Sequence, residues 1–147
     1  MALTQYETRI VQALADVMFV PTDTLPDADT AGVIERVNMY LNALSMEQRA
    51  QMRAMFVAFD VGFPVVMRAP TKRFVDASFE EQQEYLQRAE ATMGNPRMAF
   101  EGVRLVMLVA YAESGAVMES LGMVSRADRK ARRAAAPSAE PSTAGEA

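Results

Sequence analysis

Apolar residues recur with a helical period from the start of the chain. Leu3, Tyr6, Ile10, Leu14 and Val17 fall three or four residues apart, which sets them on one face of a helix. Pro21 is expected to end that helix, and P-T-D-T-L-P-D-A-D-T then reads as a loop. Asp29 or Thr30 can cap a second helix, with Val33, Val37, Tyr40 (or Leu41) and Leu44 as its buried stripe. Two capping boxes follow: Ser45 with Gln48, and Ser78 with Glu81. In each, a serine hydroxyl and a side chain three residues on satisfy backbone donors reciprocally, so each predicts a helix start. The first helix carries Met52, Met55, Phe56, Phe59 and Phe63 and is expected to stop at Pro64. The second carries Phe79, Leu86, Ala89 and Met93 and is expected to stop at Gly94. The basic connector between them, R-A-P-T-K-R-F-V-D-A, offers Phe74 as an anchor into the core.

The greasiest stretch comes next. Asn95 is a candidate N-cap, Pro96 suits the first helical position, and Leu105 to Ala112 are apolar without a break. A helix apolar all round is normally buried all round, so this segment is expected to be the central helix, ending near Ser114-Gly115. A short helix through Val117, Met118 and Leu121 follows. No run alternates long enough to predict a strand. The fold class is therefore all-α: a compact bundle of five to six helices around a central apolar helix. Residues 1–124 form that domain, and 125–147 form a basic helix end and a low-complexity tail, with disorder expected from about Pro137.

Composition narrows the chemistry. The chain of 147 residues contains no histidine and no cysteine, which removes the commonest general base and metal ligand and all thiolate chemistry. Through Ser125 there are 10 basic and 16 acidic residues, and an acidic body argues against a nucleic-acid face. The amino terminus lacks an export-signal pattern and a twin arginine, and uninterrupted apolar runs are too short to span a bilayer. The chain reads as cytoplasmic, with no membrane span.

Each remaining candidate has an ordinary structural explanation. Glu80, Glu81 and Glu84 suit the first turn of a helix, where carboxylates favour the dipole. Asp60, set among Phe59, Val61 and Phe63, would have a raised pKa if buried, but no partner for it is visible in the sequence. The 12 methionines follow helical periodicity instead of forming a soft-metal ladder, and so read as core or interface filler. Arg126, Arg129, Lys130, Arg132 and Arg133 read as a solvated helix end. No catalytic, cofactor-binding or metal-binding residue is assigned.

Phe74, S-F-E-E at Ser78 to Glu81, Tyr85-Leu86, Arg97, Leu105, Leu108, Ala110-Tyr111 and Leu121-Gly122-Met123 form a series of landmarks. Taken together, they resemble the gluconate 2-dehydrogenase subunit 3 family. Val20-Pro21 and Ala31-Gly32 extend the resemblance over roughly residues 10 to 124. It implies a small accessory subunit, itself non-catalytic, that binds and supports a separate flavin-dependent oxidoreductase large subunit of the glucose–methanol–choline type. FAD would belong to that partner and no cofactor to this chain. Where the family often has aromatic residues, this chain has Ala112, Met118 and Met123, which suggests a divergent partner. Contacts with the partner are expected from Phe63, Phe74, Tyr111, Met118 and Met123. Residence in the periplasm would require a partner that carries the export signal for both. The alternative is a stand-alone helical protein holding a hydrophobic small molecule in a Met- and Phe-lined interior.

Overall fold

The structure is a computed structural model that describes residues 3–68, 71–91 and 94–123. Its helices are α1 (Gln5–Met18), α2 (Val33–Ala43), α3 (Met46–Met67), α4 (Phe79–Ala91), α5 (Asn95–Ala112) and α6 (Gly115–Ser120), with a 3-10 turn at Phe74–Asp76. No strand occurs among the described residues, so the all-α expectation holds. Met93, and the tail from residue 124 onward, lie outside the described residues.

Local chemistry sets most of the boundaries. Both predicted capping boxes form: Gln48 N–H donates to Ser45 Oγ, and Ser78 N–H donates to Glu81 Oε2 at 2.7 Å. Thr4 and Glu7 make a third box, with Thr4 N–H donating to Glu7 Oε2 at 2.8 Å, which the sequence reading passed over. The start of α2 differs from expectation. Asp27, not Asp29 or Thr30, accepts the N–H of Thr30 at 2.7 Å, and a turn then leads to Gly32. Gly32 caps α2 at φ 64°, a left-handed conformation that glycine adopts without steric cost.

The expected stop at Pro64 is overturned, because α3 runs through it to Met67. A proline in the last turn forfeits one helical bond, and core packing of Phe63 before it and Val66 and Met67 after it offsets that loss. Arg68, at φ 56°, then closes the helix by donating its N–H to the Pro64 carbonyl. With 22 residues and an 18-residue window of mean hydropathy 1.3, α3 is long and apolar enough on those grounds to cross a membrane, which the sequence reading had not seen. In this fold it packs on α1, α2, α4, α5 and the 3-10 turn.

The core has an aromatic centre. Phe59 lies 5.0 Å from Phe74 and 4.7 Å from Tyr85 between ring centroids, and Phe63 lies 5.1 Å from Tyr85. Phe100 brings α5 against the same group. These rings occupy the centre of the bundle. Gly62 lets Tyr85 approach α3, since a Cβ there would stand 3.0 Å from the phenol oxygen. On α4, the expected core residue Phe79 is exposed at 41%, whereas the expected Ala89 is buried and Tyr85 joins it.

Candidate partner-docking surface

The most suspicious carboxylate in the sequence has partners on every side. Asp60 is fully buried on α3. One oxygen accepts the Tyr6 hydroxyl of α1, and the other accepts the Val75 N–H of the 3-10 turn at 3.0 Å. Arg73 donates to the Tyr6 oxygen at 2.9 Å and stands 3.9 Å from the carboxylate. Burial, then the bond to Asp60, pushes the Tyr6 phenol up. Burial and the negative charge of Asp60 likewise push Tyr85 up, and its hydroxyl donates to the Phe59 carbonyl at 2.8 Å. This network ties three elements together and leaves no face of the carboxylate open to a substrate.

Glu7 does the same work at the other side of α1. It accepts Arg53 Nε of α3 at 2.7 Å as well as the Thr4 donors. Burial alone would raise its pKa, but the bonds from Arg53 and Thr4 more than offset that and hold the carboxyl below its usual range. Of the acidic trio on α4, Glu81 pairs with Lys72 and Glu84 with Arg88, all partly exposed, and Glu80 is exposed. They behave as a helix start.

The five residues expected to meet a partner do not form one surface. Phe63 and Phe74 are buried in the aromatic centre and show no side chain to solvent. They are apolar anchors of the kind a core selects, as the reading of Phe74 as a core anchor already implied. Tyr111 is 9% exposed, stacks on Phe19 at 4.1 Å and donates to the Pro26 carbonyl at 2.6 Å, so it holds the α1–α2 loop. Met118 is half-buried, and Met123 alone of the five is well exposed.

The exposed apolar surface lies elsewhere. On α5, Phe100, Val103, Val106, Met107, Ala110 and Tyr111 face inward. The opposite face carries Met98 (70% exposed), Leu105 (64%), Leu108 (44%) and Val109 (37%), with Ala112 beside them. The central helix is therefore not buried all round, contrary to expectation. Arg97 and Glu101 stand 3.9 Å apart at the beginning of this face. Arg104 turns aside to Glu90 and over the Phe100 ring. No charged side chain interrupts the outer face between Leu105 and Ala112. At its far end, Glu113 shares a shallow cleft with Arg36, Met39 and Tyr40 of α2. A second open cleft, of about 530 Å³, lies on the outer side of α3 against Ala50, Ala54, Val57, Ala58 and Val61.

Sequence reasoning missed the α5 face because it treated eight apolar residues as one buried block. The signal was present: Met98, Leu105, Leu108, Val109 and Ala112 share one helical face, separate from that of Val103, Met107 and Ala110. Two apolar stripes on one helix need two coverings.

Together these features define a small helical protein whose buried polar groups fasten its own elements and which bares an aliphatic helix ridge on α5. A family model described as gluconate 2-dehydrogenase subunit 3 matches residues 5–123, from the first residue of α1 to just past α6, and the chain belongs to that family. The family takes its name from the third subunit of a dehydrogenase. Neither a curated protein nor a solved structure matches the chain.

Proposed function

We propose that this chain is a non-catalytic small subunit that binds a separate FAD-dependent oxidoreductase and supports its folding or stability. The observation that carries this reading is the outer face of α5, exposed and uncharged from Leu105 to Ala112, on a chain whose family is named for a dehydrogenase subunit. Contiguous bare apolar surface costs solubility and commonly marks a contact with another protein. The large subunit covers this face and carries the flavin, and the small chain contributes no group to the redox step. The engagement of Asp60, Glu7 and Tyr85 in bonds between helices supports that division of labour.

The test is affinity purification of the tagged chain from its native host, read by mass spectrometry and visible absorption. A stoichiometric large oxidoreductase with flavin absorption is the expected result. The double variant Leu105→Asp/Leu108→Asp should keep its helical circular dichroism and lose that partner. A colourless chain purifying alone would overturn the reading, and a double variant that retains the partner would remove α5 from the interface.

A further inference from the structure

Two methionines bracket the bare face of α5. Met98 lies on the face itself, 70% exposed, and Met39 of α2, 69% exposed, overhangs the cleft it shares with Glu113 at the other end. Met107 provides a contrast on the same helix, because its inward face leaves it 0% exposed. The three share a chemistry and differ in access.

Access decides the reaction of a thioether with a hydroperoxide. The sulfur lone pair attacks one peroxide oxygen, an S–O bond forms and the O–O bond breaks. The other oxygen departs as hydroxide and takes up the hydrogen of the transferred oxygen, so that water leaves and the sulfoxide remains. Sulfur loses two electrons and peroxide gains them. The product is a polar, strongly accepting sulfoxide in place of a flexible apolar group. The middle of the face, Leu105, Leu108, Val109 and Ala112, carries no side-chain donor, while Arg97 stands beside Met98 and Arg36 and Tyr40 share the cleft with Met39. Whether water or one of these groups binds the new oxygen, an apolar partner surface must displace or bury a polar group where it met a thioether.

We infer that Met98 and Met39 form an oxidation-sensitive site, at which hydrogen peroxide converts the thioethers to sulfoxides and loosens the grip of the α5 face on its partner. The inference rests on the docking function proposed above. Loss of grip follows from the chemistry of the face and requires no unfolding, since the buried Met107 is spared.

The experiment uses the full chain treated with hydrogen peroxide, followed by peptide mass spectrometry and circular dichroism. Met98 and Met39 should convert about tenfold or more faster than Met107 with the helical signal unchanged. The treated chain should then bind its copurifying oxidoreductase about tenfold more weakly, a loss of about 1.4 kcal/mol. Methionine sulfoxide reductase should restore binding, and Met39→Leu/Met98→Leu should bind equally well before and after peroxide. Equal conversion of Met107 and Met98, or undiminished binding by the oxidised chain, overturns the inference alone. Failure of the untreated chain to bind any oxidoreductase overturns the functional reading, and the inference falls with it.

Discussion

The two longest helices, α3 and α5, pack against each other and are both rich in apolar residues, yet they are apolar in different ways. The inner stripe of α3 is aromatic, with Phe56, Phe59 and Phe63 all within 1% of complete burial. Its outer side mixes the exposed Ala50, Ala54 and Ala58 with Met46, Val61 and Val65, which are exposed as well. The inner stripe of α5 is of mixed size, and its outer side carries the long chains of Met98, Leu105 and Leu108. One helix therefore spends all its aromatic residues on cohesion, and the other keeps several long aliphatic chains for the surface. The difference shows that hydrophobicity of a segment and burial of a segment are separate properties, joined only when enough chain exists to cover every face.

That contrast can be broken by mutation. The largest effect is expected at Phe59, where truncation to alanine opens the centre of the ring cluster and should cost about 3–5 kcal/mol in denaturant unfolding. Leu105→Ala, an equally apolar deletion on the outer face, should stay within about 0.5 kcal/mol of the parent. Similar losses for the two would mean that α5 is buried after all. Next in size is Asp60→Ala. It leaves the half-buried Val75 N–H without its acceptor and frees the Tyr6 hydroxyl, a loss of about 1–2 kcal/mol for donors that lose a partner in a partly desolvated site. Asp60→Asn, which can keep one acceptor toward Val75, should lose less. If both variants were neutral, the network would not be what fastens the connector to α1 and α3.

The smallest effect is a pH dependence. Glu7 is held below its ordinary value of 4.5, so the unfolded chain takes up its proton first as the pH falls. The stability it contributes is complete above that ordinary value and fades as the pH drops below it toward the lower folded value. Unfolding midpoints measured between neutral and acid pH should therefore fall less steeply in Glu7→Gln than in the parent. An unchanged acid slope would show that the Arg53 pair, 2.7 Å long but part-exposed on the arginine side, adds nothing measurable.

Local signals in the sequence carried much of the fold. The serines of both predicted capping boxes start helices, and Ile10, Leu14, Val33, Val37, Phe56, Phe59 and Phe63 are all buried as their spacing required. Phe74 is the core anchor it promised to be. The candidate interface was far less legible. Phe63, Phe74 and Tyr111 have the residue types of a contact surface, but aromatic residues suit cores and interfaces equally, and here the core took them. Asp60 failed in the opposite sense. Its partners Tyr6 and Val75 lie far away along the chain, so no local pattern could reveal that its charge is satisfied.

By itself, the sequence determined the helical class, most helix starts, the inward stripe of each early helix and the poverty of ordinary catalytic groups, because these depend on neighbours within one or two turns. Only the tertiary structure decided that α3 passes through Pro64, that Asp60 is a fastener, and that the outer side of the greasiest helix stands bare. Those outcomes depend on which surfaces meet across the bundle. A chain of this length has a limited number of helices with which to cover α5, and its inner side was covered first.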